Sequence, residues 1–277
     1  MLAGHEVAVR MSDNLNSMPE LVFSIYAFGV GAIIGSFLNV LIVRLPKHEN
    51  FVTKRSHCPH CNALIHWYDN IPLFSYLILR GKCRNCRKPI SSQYPLVELA
   101  TGLLFLISFR LYGPSYQMIM VDVFISMLLV VTIVDFRHFL IPDMVTIPGM
   151  ILGLAFSLVS PLVGPLDAVI GLLVGGVSLY LLAMVGDFIF KKESLGGGDI
   201  KLAAMLGVWL GWQNIIIIFF GAAVLGLIFA IIQMARSNET RQTRMIPFGP
   251  FLSLAAVIAL FWGRQLIDLY LTQVLMR

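Results

Sequence analysis

Residues 21–43 read LVFSIYAFGVGAIIGSFLNVLIV, a run without one Asp, Glu, Lys or Arg. A bilayer core about 30 Å thick is crossed by about 20 apolar residues rising ~1.5 Å each, so this run is long enough to span. It is too long for the apolar part of a secretory signal, and Glu6, Asp13 and Glu20 interrupt the residues ahead of it. Residues 1–20 are therefore expected to be an extracytoplasmic segment and residues 21–45 a first transmembrane helix. Outward from it, comparable stretches recur at 94–112, 117–134, 145–163, 167–190, 200–210, 214–234 and 250–271. The stretch 200–210 is too short to cross alone and needs tilt, re-entry or extension through residues 196–199. Its loss would invert the last two spans.

The composition agrees. Of 277 residues, 58% are hydrophobic and 13% charged, against about a quarter charged in soluble domains. The expected fold is an all-α polytopic membrane protein with about eight transmembrane helices. With eight spans and an outside N-terminus, sixteen of the 20 Lys and Arg residues fall on one face. They include Lys47, Lys54, Arg55, Arg80, Lys82, Arg84, Arg87, Lys88, Arg137, Lys191, Lys192, Arg236, Arg241 and Arg244, with Arg44 and Lys201 at its edge. Arg10, Arg110, Arg264 and Arg277 remain on the other. Cytoplasmic loops carry such an excess, so the basic face is expected to be cytoplasmic. The net charge of +5 then reports topology and contact with anionic membrane lipid and does not call for nucleic acid.

One long polar segment, residues 46–93, interrupts the apolar runs and holds all four cysteines, as Cys58-Pro-His-Cys61 and Cys83-Arg-Asn-Cys86. Each C-x-x-C turn can aim two thiolates at one point. Two such turns about twenty residues apart make the four-sulfur shell that Zn2+ prefers. In a cytosolic segment disulfides are disfavoured. The basic neighbours Arg55, Lys82, Arg84 and Arg87 would offset the thiolate charge. So short a segment buries little core, and a metal would supply its folding free energy. Four sulfurs leave no open position, which favours a structural metal over a catalytic one. Free thiols and a redox dithiol are the alternatives, and His57, His60 and His66 are nearby substitutes as ligands.

Charges inside spans are costly and mark function or a buried pair. Glu98, Asp122, Asp135, Asp143, Asp187 and Asp199 are the candidates. Asp135 ends the third apolar stretch, and Asp199 follows Gly196-Gly197-Gly198 and opens the sixth. On the topology above both sit at the cytoplasmic edge. Glycines without Cβ atoms allow a sharp turn and the close approach of a substrate backbone. Asp199 could instead merely cap a helix, and Asp135 could merely pair with Arg137. Two carboxylates within a few ångströms cannot both ionise easily. Such a pair can deprotonate a water and protonate a scissile carbonyl.

Gly196-x-Gly198-Asp199 resembles the GxGD intramembrane aspartyl proteases, which include presenilin-like and preflagellin peptidases. Gly35-Ser36-Phe37-Leu38-Asn39-Val40, the two C-x-x-C pairs, Trp67-Tyr68-Asp69-Asn70-Ile71-Pro72 and Tyr94-Pro95-Leu96-Val97-Glu98-Leu99 narrow the resemblance to bacterial type IV prepilin peptidases. Ile141-Pro142-Asp143, Lys201-Leu202 and Pro247-Phe248-Gly249-Pro250 do the same. The resemblance runs from Gly35 to the last span. It implies an eight-span inner-membrane enzyme, with a zinc-binding domain at 46–93 and a protease core at 94–273. Such enzymes cut the basic leader from type IV prepilins and type II secretion pseudopilins after a glycine, on the cytoplasmic side. Many then methylate the new N-terminal residue with S-adenosylmethionine. The resemblance also implies that Asp135 and Asp199 are the catalytic acids, and that Cys58, Cys61, Cys83 and Cys86 hold zinc. It assigns no residues to the methyl donor. Asp143 competes with Asp135 and could cap the fourth span; Asp187 has no place in the family pattern, and oligomeric state is not specified.

A proton-coupled transporter is the competing class, since buried acids and a glycine-broken helix suit a carrier too. No inverted repeat relates the halves, and a tetracysteine insert is foreign to most carriers. A membrane scaffold is a third reading, and gives the paired acids no use.

Overall fold

The computed structural model describes residues 18–50, 55–160, 162–191, 195–236, 246–270 and 272. Residues 1–17 of the expected extracytoplasmic segment lie outside the described residues. So do Arg10, Lys54, Lys192, Arg241, Arg244 and Arg277, six of the charges behind the topology. Nine α-helices stand among the described residues. They are α1 (Met18–Arg44), α2 (Phe74–Ile78), α3 (Gln93–Tyr112), α4 (Tyr116–His138), α5 (Asp143–Ser157), α6 (Pro165–Phe190), α7 (Gly197–Leu210), α8 (Trp212–Arg236) and α9 (Gly249–Tyr270). Each apolar stretch read from the sequence falls largely on one of the eight longer helices, although the stretch 145–163 runs past the end of α5 at Ser157.

Five of them, α1, α3, α4, α6 and α8, are long and apolar enough to cross a membrane. The apolar helix at 143–157 is shorter, α7 has only 14 residues, and α9 runs for 22. The chain divides into two compact units, residues 1–130 and 131–277.

In the first unit α1 packs along α3, and small residues bring the two backbones together. A Cβ on Gly31 would lie 2.8 Å from the Thr101 carbonyl oxygen, and one on Gly35 would lie 2.8 Å from Glu98 Cα. This spacing of small residues is a close-contact seam between membrane helices, where van der Waals fit replaces hydrophobic drive. At the same end, buried Asn39 donates to the carbonyls of Gly35 and Tyr94, and Gln93 Nε2 donates to Asn39 Oδ1. Arg44, at the end of α1, donates to the carbonyls of Asn50 and Arg55, tying down both sides of the link into the cysteine segment.

In the second unit α7 is the central helix. It contacts α5, α6, α8 and α9, and every residue from Leu202 to Leu210 is buried. Its crossing with α6 is the tightest in the unit: a Cβ on Gly171 would overlap Gly207 backbone, and one on Gly175 would overlap the Ala203 carbonyl. On the α5 side Trp209 Nε1 donates to the Gly149 carbonyl at 2.8 Å, and Gly153 leaves room for Val208 and Trp209. The shortness of the sixth apolar stretch thus has a physical reason. A helix enclosed by others needs no lipid-matched length of its own.

The glycine run at 196–198 corrects one expectation. Gly196 is the N-cap of α7, while Gly197 and Gly198 already belong to its first turn. None of the three has positive φ, so they are not needed for a left-handed turn. Gly198 is needed for space, since a Cβ there would lie 2.9 Å from Ile141 Cβ. Gly197 faces open space.

Candidate active site and tetracysteine centre

Three chain segments of the second unit converge at the start of α7. The first is the end of α4, which carries Asp135. Its neighbour Phe136 packs edge-on against Phe229 of α8, which in turn packs on Phe251 of α9. Asp135 is only 5% exposed, and its Oδ2 accepts the backbone N–H of Gly249 at 3.0 Å. A Cβ at position 249 would lie 2.7 Å from that oxygen, so any side chain there would have to displace the carboxylate. Ile141 sits among the segments: Gly198 abuts its Cβ, and its Cδ1 lies 3.2 Å from where a Gly249 Cβ would be.

Asp199 is third in α7, not its N-cap. The Gly196 N–H bonds back to its carboxylate, an arrangement that satisfies a helix start. Capping explains that bond and leaves Asp199 Oδ1 unexplained: the atom is buried and has no hydrogen-bond partner among the described residues. The Asp135 and Asp199 carboxylates lie within electrostatic reach of each other. A buried polar oxygen without a donor costs about 1–3 kcal/mol, and such groups mark sites that await a ligand or water. The pair can share a proton or hold a water.

Asp143 stands apart from this pair. It opens α5 after the N-cap Pro142, and both of its carboxylate oxygens accept from Lys201 Nζ, at 2.8 and 2.7 Å. Both partners are about half exposed. Asp143 is thus occupied in a surface ion pair that joins α5 to α7. Asp187 lies in the last turn of α6, while Glu98 and Asp122 belong to the first unit. Glu98 Oε2 accepts the Leu73 N–H at 2.8 Å, so this buried carboxylate anchors the cysteine segment to α3. Asp122 is buried within α4.

The cysteine segment consists of two copies of one turn, 25 residues apart. Cys58 N–H donates to the Ala63 carbonyl and Asn62 N–H to the Cys58 carbonyl. Cys83 and Arg87 repeat this with the carbonyls of Lys88 and Cys83. Asn62 and Arg87 both take positive φ, and the bridges His57–Leu64 and Lys82–Pro89 close the two turns. Each turn presents backbone N–H groups to its sulfurs. Those of Cys86 and Asn85 bring the Cys83 thiol down to about 7, against desolvation, and that of Ala63 lowers Cys61.

All four Sγ atoms lie within 4.8 Å of one another, and Cys58 Sγ is 3.9 Å from Cys86 Sγ. A tetrahedral zinc site has Zn–S near ~2.3 Å and four thiolate ligands, a donor set these turns match. The four cysteines are thus positioned to bind a metal ion. His57, His60 and His66 are not part of the cluster. Arg84 of the second turn makes a two-pronged bond to Asp69 at 2.8 and 2.6 Å and lies over the Tyr68 ring. Its guanidinium holds the Asp69 carboxyl below the usual range. The Trp67–Asn70 turn is thereby fastened to the cysteine cluster.

Residues 30–112 match the bacterial peptidase A24 N-terminal domain, and residues 123–231 match the type IV leader peptidase family. The chain belongs to the type IV leader peptidase family. Prepilin leader peptidase/N-methyltransferases are its relatives: that of Aeromonas hydrophila is 38% identical over 94% of this chain and 97% of its own. That of Xanthomonas campestris is 38% identical over 93% and 97%, and that of Myxococcus xanthus 39% over 82% and 69%. No solved structure matches the chain. The family assignment leaves the transporter reading without support. The first matched domain contains the tetracysteine segment, and the second contains Asp135 and Asp199.

Sequence reading missed Gly249 as a partner of Asp135, although Pro247-Phe248-Gly249-Pro250 was part of the resemblance. A glycine between two prolines next to an apolar run was the available signal. It also missed the small-residue seams, whose signal is Gly31-x-x-x-Gly35 and Gly171-x-x-x-Gly175.

Proposed function

We propose that this protein is a membrane aspartyl endopeptidase that removes the leader of type IV prepilins or type II secretion pseudopilins at the cytoplasmic face. It then methylates the new N-terminal residue with S-adenosylmethionine. One observation supports the proteolytic half: the carboxylates of Asp135 and Asp199 lie within electrostatic reach of each other, where segments 135–141, 196–199 and 247–249 converge.

In this reading one carboxylate takes a proton from a water that attacks the scissile carbonyl carbon, and the other protonates the carbonyl oxygen. Collapse of the tetrahedral intermediate breaks the C–N bond, and the leaving amine takes up a proton. Two carboxylates that share one proton act as a unit rather than as separate acids. The Gly249 N–H orients Asp135, so its free oxygen is available to the water. Gly197, with open space around it, supports the approach of an extended leader to Asp199.

Cys58, Cys61, Cys83 and Cys86 would hold one Zn2+, which would fix the two turns relative to each other and leave no open coordination position. For the methyl donor, the described residues form only isolated β-bridges, so the strand-to-helix glycine cradle of many nucleotide sites does not fit this chain. The proposed site faces the cytoplasm of a multi-pass inner-membrane protein, a placement supported by the basic loops.

Mass spectrometry of a co-expressed prepilin tests both halves together. The expected product lacks the leader and carries one added methyl group on its N-terminal residue. An intact leader would remove the peptidase reading, and a cleaved, unmethylated product would remove the methyltransferase one.

A further inference from the structure

Among the described residues of the first unit, the cysteine segment carries an exposed apolar face. Trp67 is 80% exposed, Phe74 67%, Leu77 71% and Ile78 74%. Phe74, Leu77 and Ile78 are spaced i, i+3, i+4 on α2 and so share one side of it, while Ser75 on the other side is buried and donates to the Tyr68 carbonyl. A polar segment outside the membrane-crossing helices has no hydrophobic reason to present these side chains to water, and contiguous patches of this kind mark interaction sites.

The patch has a fixed level along α3. Leu73, immediately before α2, donates its N–H to Glu98 Oε2. Glu98 lies five residues into α3, or about 7.5 Å along the helix axis at ~1.5 Å per residue. At that same level Leu96 and Leu99 are exposed on α3, as lipid-facing residues of a membrane helix are. The tether therefore holds α2 beside the outer turns of a membrane helix. Exposed Arg80, Lys82, Arg87 and Lys88 follow directly after α2.

We infer that residues 67–78 form an interfacial foot that seats the tetracysteine segment on an anionic lipid surface, with Phe74, Leu77 and Ile78 in the headgroup–acyl boundary. Amphipathic segments lie in that boundary with their apolar side about 5–10 Å deep, and the Glu98 tether keeps Leu73, and α2 after it, beside α3. Trp and Tyr favour the interface, and Arg and Lys beside it meet anionic headgroups. The apolar helix of a substrate is the competing occupant. The continuous level with Leu96 and Leu99 and the adjacent basic run favour lipid. This inference stands independently of the catalytic reading, because it uses only the first unit.

Spin-label accessibility on the full chain in nanodiscs containing phosphatidylglycerol tests it. Nitroxides would be attached through a ketone-bearing amino acid placed at 74, 77 or 78, so the cysteines stay untouched, with position 85 at a turn tip as the reference. The expected result at 74, 77 and 78 is contact with O2 and at least a tenfold lower collision rate with a water-soluble nickel chelate than at 85. Chelate access equal to that at 85 would place the foot in water and overturn the inference. Protection from both O2 and chelate would show a protein partner and overturn it equally.

Discussion

Asp135 and Asp199 differ in how the chain holds them, and substitutions should separate their roles from that of Asp143. Asp135→Asn or Asp199→Asn preserves shape while removing a titratable carboxyl, and each should abolish cleavage of a prepilin peptide by purified protein in detergent. Asp143→Asn should leave cleavage measurable, because Asp143 is engaged in an exposed pair with Lys201, and such pairs contribute little, ~0–1 kcal/mol. Loss of cleavage with Asp143→Asn and retention with Asp135→Asn would reverse the assignment. Gly249→Ala is the sharper test of geometry. Its Cβ would press on Asp135 Oδ2 from 2.7 Å, and a displacement costing about 1.4 kcal/mol at the transition state is a tenfold rate loss. Cleavage should fall at least tenfold in a protein that still purifies as a folded species.

The helices depend on close approach rather than on apolar excess alone. At the α6–α7 crossing Gly171 and Gly207 meet backbone to backbone, so Gly171→Ala or Gly207→Ala must push the helices apart. Overpacking of this kind costs about 1–3 kcal/mol, and a lower thermal midpoint in detergent should report it. Gly29→Ala is the matched control: no atom lies within 4 Å of its added Cβ, and the midpoint should hold or rise. The two C-x-x-C turns make a second prediction at this scale. Purified protein should carry one zinc per chain by elemental analysis. Cys→Ser at 58, 61, 83 or 86 should lower the zinc content and impair methylation more than cleavage. Equal loss of both activities would tie the segment directly to the protease.

For the whole molecule the open quantity is the number of crossings. Five helices satisfy length and apolarity together among the described residues, and eight crossings require α9, with its 22 residues, and the shorter α5 and α7 to cross as well. With eight crossings both ends of the chain lie outside, and an alkaline phosphatase fused after residue 277 should be active while a fluorescent protein fused there stays dark. The opposite pattern would mean an odd number of crossings, with α7 as the helix that fails to span.

Much of this was legible in the sequence because its causes are local. Apolar run length sets which segments must be helices in lipid, where each backbone polar group needs a partner within its own segment. Two C-x-x-C turns can close on a metal through bonds made within six residues, as Cys58 to Ala63 and Cys83 to Lys88 do. The acids were legible as charges out of place, and the family pattern singled out two of them. Only the tertiary structure brought Gly249 to Asp135 across 114 positions, put the short α7 at the centre of its unit, and gave Gly198 a spacing role against Ile141. Those features follow from how close two backbones can approach and which donor meets which carboxylate, and neither distance is encoded in any one segment.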